Sequence, residues 1–337
     1  MRPTIRDVAK KLNLSITTVS RALDGYDDVA ERTRKLVIET AHAMGYTPNR
    51  AARQLRRQQT DTIGYIIPSH GVGFADPFFS EFIAGLGDEA SAHNYDLLVT
   101  TASSSSPNEK AQYERWVQGG KVDGLVVNRV QLDDWRLHYL AEQGIPHVSL
   151  ERSLAILDFV GVEVDSYNGF LELMAYLINM GHSRIAYIGG DPKLKIENDH
   201  FAGYQAGLKE ANITPGPDLV IHADLTPEGG YQAAEHLLKL ANPPTAIVCV
   251  NDLTAIGAMH AAHRYGFKVG RDIAIAGFDG IADSAHTQPP LTTLDQPVYA
   301  IARRLLNMLL ALINGEPLAE RQVKIKPKLL IRESTGG

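Results

Sequence analysis

The chain has 337 residues and a formal net charge of −6, and no apolar run in it approaches the roughly 18 to 20 residues that a membrane span requires. The charge is unevenly divided, because residues 1–60 carry a net +6 and residues 61–337 a net −12. DNA affinity comes largely from neutralised phosphates, so the net charge of each segment is more informative than that of the whole chain. The positive charge of residues 1–60 favours a nucleic-acid partner for this segment.

Residues 4–24 predict two short helices joined by a tight turn. Thr4 can cap the first helix together with Asp7, three positions on. Asn13, which tolerates left-handed backbone, ends this helix, and Ser15 follows as the cap of the second. This spacing is typical of a helix-turn-helix. One face of the first helix is apolar: Ile5, Val8, Ala9 and Leu12.

The second helix has a buried and an outer face. Val19, Ala22 and Leu23 form the expected buried stripe. Residues near the N-terminal half of the outer face are those that would meet base edges in a major groove. These are Ile16, Thr17, Ser20 and Arg21. A small helical bundle with solvated charges is the alternative.

A third helix is expected over residues 30–44, with one face formed by Thr33, Val37, Ala41 and Met44. Pro48 and Asn49 can then start a short helix that is rich in arginine and poor in apolar residues. Such a helix is marginal in water by itself, so we expect it to order against another surface, and its arginines indicate DNA.

The remaining 277 residues alternate β-branched apolar runs with helical patterns, which indicates parallel sheets covered on both faces. Two repeats of this rhythm predict two doubly wound halves with a cleft between them. The expected strands are 63–67, 97–100, 125–127, 148–150, 185–188, 246–250 and 273–276, with a last strand-like segment K-L-L-I-R near the end of the sequence. The expected helices are 78–93, 107–118, 132–143, 166–180, 198–211, 228–240, 252–265 and 297–313.

Polar residues follow several of these strands: Ser69, Asn128, Glu151, Asn251 and Asp279. Ligands of open α/β sheets bind outside the carboxyl ends of the strands. Carboxylates and amides there could bind the hydroxyls of a polyol or sugar, and Phe74, Phe78 and Phe79 could face a sugar ring. The alternative is strand-end capping, with Glu151 paired to Arg152.

Other kinds of functional site have little support in the sequence. There is no phosphate-loop pattern, and we expect no metal site, cofactor or catalytic residue. Cys249 lies in an apolar run and is expected to be a buried strand residue. Met1 is followed at once by a capped helix rather than a signal peptide, so we expect a cytoplasmic protein. No leucine heptad follows the last helix, so a dimer is the expected assembly.

Three segments together resemble the LacI/GalR family of bacterial transcription regulators: T-I-R-D-V-A-K-K-L-N-L-S-I-T-T-V-S-R-A-L, G-Y-T-P-N-R-A-A-R-Q-L and T-I-G-Y-I-I. The similarity continues through N-D-L-T-A-I-G-A-M, G-F-D and P-P-L-T-T-L. It implies an all-α helix-turn-helix head (1–46), a hinge helix and linker (47–60), and an α/β effector-binding and dimerisation domain (61–337). The last comprises two doubly wound parallel-sheet subdomains like those of periplasmic binding proteins, at about 61–163 with 295–323 and about 164–294 with 324–337.

The resemblance also implies roles for single residues. Leu55 matches a hinge leucine that wedges into the minor groove at a central step. The expected DNA contacts are Thr4, Ser15, Ile16, Thr17, Ser20, Arg21, Thr33, Asn49, Ala52 and Leu55. The expected effector contacts are Ser69, Asp76, Phe78, Asn128, Glu151, His200, Leu225, Asn251, Asp279 and Gln296. His200 stands where the family usually has arginine, and Leu225 where a bulky contact is common, so the ligand differs from that of the best-known members.

The sequence therefore predicts a repressor that binds a pseudo-palindromic operator in double-stranded DNA as a homodimer, controlled by a small effector, in our interpretation a sugar. A purine-responsive or other metabolite-responsive corepressor type is the alternative. A sugar-binding transport protein shares the bilobed body but lacks the basic head. A glycosidase would need Glu151 and Asp279 about 5 to 10 Å apart.

Overall fold

A computed structural model of the chain describes residues 3–24, 26–46, 59–69, 76–104, 106–156 and 158–337. The chain divides into two compact units, Met1–Thr60 and Asp61–Gly337. Within the described ranges, no helix combines the length and apolar character needed to cross a membrane. The predicted hinge residues Asn49, Ala52 and Leu55 lie outside the described residues, as does Phe74.

The described residues of the first unit form three helices, and the caps of the first two follow the predicted pattern. The backbone N–H of Thr4 donates to Asp7 Oδ2 at 2.8 Å. Asn13 adopts a left-handed φ of 54° after the first helix, and Ser15 Oγ accepts from Thr18 N at 3.0 Å at the start of the second. The predicted pair of capped helices and their turn are therefore confirmed. The helices are α1 (Ile5–Leu12), α2 (Ile16–Leu23) and α3 (Glu31–Ala43).

A small apolar core holds these helices together. Val8, Val19 and Val37 have no exposed surface, and each fully buried valine contributes roughly 1.5 to 3 kcal/mol. Leu23, which we expected in the buried stripe, is only partly buried because it is the last residue of α2. The core also includes Ala9, Ala22, Val29 and Ala41.

The second unit is built on two six-stranded sheets. Its strands are β1 (Thr62–Ser69), β2 (Asp96–Ser103), β3 (Gly124–Val127), β4 (His147–Leu150), β5 (Gly161–Val164), β6 (Ile185–Gly189), β7 (Val220–His222), β8 (Ala246–Cys249), β9 (Ala274–Asp279), β10 (Thr292–Asp295), β11 (Gln322–Ile325) and β12 (Lys328–Leu330). The first sheet has the order β11-β5-β4-β3-β1-β2, and the second β12-β10-β9-β8-β6-β7. Every pairing is parallel except that of β10 with β12.

Helices cover the sheets, and the chain passes three times between the two halves: after β5, between β10 and the last helix, and between β11 and β12. The predicted doubly wound parallel architecture is therefore confirmed. Cys249 is fully buried in β8, as predicted. The helices are α4 (Pro77–Ala92), α5 (Pro107–Gln118), α6 (Trp135–Glu142), α7 (Ser166–Asn179), α8 (Lys195–Glu210), α9 (Pro227–Leu238), α10 (Asp252–Arg264) and α11 (Val298–Asn314).

Several element boundaries differ from the predictions. The helix predicted over 132–143 begins only at Trp135, because the Asp134 side chain caps it by accepting from Arg136 N at 3.0 Å. The helix predicted from residue 198 begins at Lys195 instead. Strands β5, β7, β10 and β11 were not predicted. Each has three or four residues, and β11 alternates polar and apolar side chains instead of forming a continuous apolar run.

The contact between α9 and α10 depends on glycine and gives a stability prediction. A Cβ on Gly257 would lie 1.9 Å from the carbonyl oxygen of Pro227. Gly257→Ala should therefore lower the free energy of unfolding by about 1 to 3 kcal/mol. Gly87→Ala is the matched control, since a Cβ there meets nothing within 4 Å in α4 and should stabilise the helix by about 0.5 to 1 kcal/mol. Thermal unfolding of both variants measures the difference, and equal midpoints would contradict the close helix packing.

Candidate functional site

The outer face of α2 presents the residues predicted to meet DNA. Ile16 is 45% exposed, and Thr17 is also exposed. Arg21 Nη2 lies 2.8 Å from Asp28 Oδ2, with its guanidinium 5.3 Å from the centroid of the Tyr26 ring. Because this ion pair is half-exposed, breaking it costs at most about 1 kcal/mol, so Arg21 is available to another acceptor.

The other predicted DNA contacts that the structure describes differ in solvent exposure. Thr4 and Ser15 are exposed helix caps, whereas Ser20 and Thr33 are partly buried. The side chain of Ser20 donates to Asp24 Oδ2 at 3.3 Å.

A cleft in the second unit lies where strand ends from both sheets converge. Asn128 directly follows β3, Glu151 follows β4, and Asp279 is the last residue of β9. The empty space in the cleft, counting the part open to solvent, is about 660 Å³. The side chain of Ser69 lies outside the described part of the structure. All the other predicted effector contacts line the cleft: Asp76, Phe78, Asn128, Glu151, His200, Leu225, Asn251, Asp279 and Gln296.

Several buried polar atoms in this cleft have no hydrogen-bond partner among the residues that the structure describes. They are Asn128 Oδ1, Glu151 Oε2, Gln296 Oε1 and both ring nitrogens of His200. A buried polar atom left unpaired costs about 1 to 3 kcal/mol, and native structures keep few of them. A ligand that supplied partners to these atoms would remove that cost.

Specific contacts hold the strand-end side chains in place. Asn128 Nδ2 donates to the hydroxyl of Tyr65 at 2.5 Å. Glu151 Oε1 accepts from Val164 N at 2.9 Å, which leaves Oε2 towards the cleft. Arg152 pairs with Glu163 at 3.1 Å, so the alternative pairing of Glu151 with Arg152 is wrong.

Asp279 is held from the opposite side. Its Oδ1 accepts from Gln296 Nε2 at 2.7 Å. Behind it, Asp252 accepts from the Thr293 hydroxyl at 2.6 Å and from Ile281 N at 2.9 Å. Asp252 therefore fixes the turn that follows Asp279, and nothing in the local sequence singled it out for this role.

Backbone strain is concentrated at the cleft. Residues other than glycine rarely adopt positive φ, and each such conformation costs about 1 to 3 kcal/mol unless the surroundings enforce it. Such strain clusters at binding sites, which supports a binding role for the cleft. The lining residues concerned are Arg129 (46°), Glu151 (75°), Leu225 (66°) and Asp279 (115°).

Burial suppresses ionisation of three cleft groups. It raises the pKa of Glu151 to about 8, and with repulsion from Asp76 and Asp252 it raises the pKa of Asp279 well above its usual range. Burial and the nearby Lys195 ammonium lower the pKa of His200 to about 3. Burial therefore favours the protonated form of the Glu151 and Asp279 carboxyl groups and the uncharged form of the His200 imidazole.

Two predicted contacts have structural roles in this arrangement. Asn251 Oδ1 accepts from Thr254 N at 2.9 Å as the cap of α10, and its Nδ2 donates to Leu225 O at 3.2 Å. The capping alternative therefore applies to Asn251. Phe78 lines the cleft, but Phe79 is buried in the core beneath the Arg129 guanidinium, so the expected aromatic face does not include Phe79.

The cleft also contains residues that the sequence reasoning missed. Glu197 accepts from the Tyr187 hydroxyl at 3.0 Å and from Gly190 N at 2.9 Å. It lies three residues before His200, on the same helix face, and this spacing was the signal that could have revealed it. Arg129 follows Asn128 and reaches Asp76 Oδ2 at 3.2 Å.

Comparisons with known proteins cover both units. Residues 4–49 match the family of bacterial regulatory proteins called lacI, and residues 174–335 match a periplasmic binding protein-like domain. The chain is 32% identical to the HTH-type transcriptional repressor CytR of Escherichia coli (strain K12), over 98% of this chain and 96% of the repressor.

Solved structures give the same result. A complex of the transcriptional regulator CelR with cellobiose superposes with a TM-score of 0.76 at 28% identity, over 99% of this chain and 100% of that one. The lac repressor dimer bound to operator and the anti-inducer ONPF gives a TM-score of 0.86 at 26% identity, over 99% of each chain.

Glu151 gives a prediction for the dependence of stability on pH. Its folded-state pKa of about 8 exceeds the ordinary value of 4.5, so the folded protein binds more protons between these values and loses stability as pH rises through this range. Asp199, Lys195 and Glu163 are the charged groups that act on it. The stability of Glu151→Gln relative to wild type should therefore rise by up to about 1.4 kcal/mol per pH unit and level off above pH 8.

Thermal and denaturant unfolding from pH 5.5 to 9 measure this difference. Taking the difference between variant and wild type removes the contribution of other buried acids, such as Asp252. A difference that stays constant between pH 6 and 8 would show that Glu151 is ionised in the folded protein.

Proposed function

This chain belongs to the LacI family of bacterial transcription regulators, and we propose that it is a repressor that binds a pseudo-palindromic operator as a homodimer and responds to a small carbohydrate. The buried, unpaired polar atoms of the cleft carry the proposal, because they mark a ligand site in the body of a chain whose head has a helix-turn-helix. We propose that the chain binds its effector without catalysing a reaction. We also propose that it is located in the cytoplasm, because the chromosome is there.

The head supports the DNA part of the proposal. Ile16, Thr17 and Arg21 are exposed on α2, which is the second helix of a helix-turn-helix and therefore the one that enters a major groove. Two copies related by a two-fold axis would match the two half-sites of a palindrome. The similar lac repressor structure is a dimer on operator DNA, which favours the same assembly here.

The cleft supports a carbohydrate as the effector. A sugar hydroxyl both donates and accepts, so it can satisfy the acceptor atoms of Asn128 and Gln296 and also pair with the protonated carboxyl of Glu151. Phe78 and Phe278 provide apolar surface for the ring faces. The similar CelR structure holds cellobiose.

The effector would act by linkage. Asn128 and Glu151 follow strands of the first sheet, and Asp279 ends a strand of the second. The affinity of a ligand that contacts both sets of residues depends on how the two halves are arranged. Such a ligand shifts the equilibrium between forms that differ in DNA affinity. The size of the shift is set by the difference in the ligand's binding free energy for those forms.

Arg21 provides the test of DNA recognition. Arg21→Ala should remove a base contact and relax specificity at one position of each half-site, at a cost of about 1 to 3 kcal/mol. The measurement is operator selection from a random DNA pool. Asp28→Asn is the control, because it removes the ion-pair partner of Arg21 and should leave the selected motif unchanged. Equal stringency for wild type and Arg21→Ala would disprove the assignment of the recognition helix.

Asp279 provides the test of effector control. Asp279→Ala should weaken effector binding about ten- to a hundredfold, because it removes hydrogen bonds to a carboxyl group and leaves Gln296 unpaired. Titration of the effector into operator-bound protein measures the response. Asp283→Ala, which changes an exposed carboxylate four residues later, is the control. If Asp279→Ala responds at the wild-type concentration, the ligand lies elsewhere; if it loses operator binding without effector, Asp279 is structural.

A further inference from the structure

The charged side chains that line the cleft are nearly all acidic. Asp76, Glu151, Glu197 and Asp279 contribute carboxyl groups. Among the described lining residues the one permanent cation is Arg129, and its Nη2 lies 3.2 Å from Asp76 Oδ2. The Arg129 guanidinium is therefore already paired before any ligand enters.

The other basic residues nearby do not supply a free positive charge. His200 is 1% exposed and lies between the rings of Phe170 and Phe278, with centroid separations of 4.3 and 4.4 Å. This burial keeps its imidazole uncharged at neutral pH. The ammonium of Lys195 is bound to Asp199, outside the cleft lining.

An anionic group entering this cleft would lose its hydration without gaining a positive partner. Burying an unpaired charge is strongly unfavourable. An uncharged hydroxyl meets no such penalty, since the unpaired atoms of Asn128 and Gln296 are neutral acceptors. The cleft is therefore matched to hydroxyl groups and mismatched to phosphate and carboxylate.

From this arrangement, and resting on the proposed carbohydrate response, we infer that the cleft selects a hydroxyl-rich sugar and rejects the phosphorylated or carboxylated forms of sugars. The charge of the lining, rather than the shape of the cleft, produces the selection.

A paired panel of ligands tests the inference on the full-length protein. The neutral members are glucose, galactose, ribose and cellobiose. The acidic members are glucose 6-phosphate, galacturonate, glucuronate, ribose 5-phosphate and cellobionate. Thermal shift finds the binders, and isothermal titration calorimetry compares each neutral binder with its acidic counterpart. We expect a neutral sugar to bind at least about a hundredfold more tightly than its acidic form.

The outcomes separate the two proposals. Tighter binding of a phosphate or uronate would overturn the charge selection while leaving a carbohydrate-responsive repressor intact. A shift with nucleobases or nucleosides and with no sugar of either charge would overturn the carbohydrate proposal, and the selection inferred from it as well.

A variant tests the physical cause. Asp76→Asn keeps the cap of α4, because asparagine caps helices as well as aspartate does, and it releases the Arg129 guanidinium. The ratio of neutral to acidic affinity should then fall about tenfold or more. Asp158→Asn is the matched control, since Asp158 pairs with Arg321 at an 83% exposed site that does not line the cleft. A ratio that is unchanged in Asp76→Asn would show that charge is not the cause.

Discussion

Parallel strands bring all their carboxyl ends to one edge of a sheet, and the position of the cleft depends on this constraint. Strands β3 and β4 end directly before Asn128 and Glu151, and β9 ends with Asp279. Because these strands are almost wholly buried, the polar side chains at their ends are held in a low-dielectric environment, where ionisation is suppressed and unpaired atoms are costly. The apolar sheets thus supply both the geometry of the site and its chemistry.

This dependence explains how much the sequence could predict. The apolar runs of the strands are visible in the chain, so Asn128, Glu151 and Asp279 could be placed at strand ends from local pattern alone. Contacts that depend on tertiary packing could not be predicted in this way. The buried guanidinium of Arg136 donates to the carbonyl oxygens of Asn128 and Arg129 at 3.1 and 3.0 Å, and no local pattern indicates that contact. Gln296 was identified only through the family resemblance, because no predicted strand precedes it.

Backbone pairing across the cleft also lay beyond the sequence reasoning. Leu132 N donates to Lys193 O, and Lys195 N donates to Val130 O, both at 2.9 Å, around an antiparallel bridge between Gln131 and Leu194. The first segment follows β3 of the first sheet, and the second precedes α8 of the second half. These bonds join the two halves in addition to the three chain connections, and they are contacts that a change in the arrangement of the halves would break or keep.

The free energies of hydrogen bonds in the cleft are comparable to the coupling free energy that ligand control of DNA binding requires. A coupling between two ligands is typically about 1 to 3 kcal/mol. A buried acceptor without a partner, such as Glu151 Oε2 or Gln296 Oε1 among the described residues, costs about 1 to 3 kcal/mol. A ligand that pairs these atoms in only one arrangement of the two halves would favour that arrangement by a comparable free energy. A few strand-end side chains are therefore sufficient to change DNA affinity by one or two orders of magnitude.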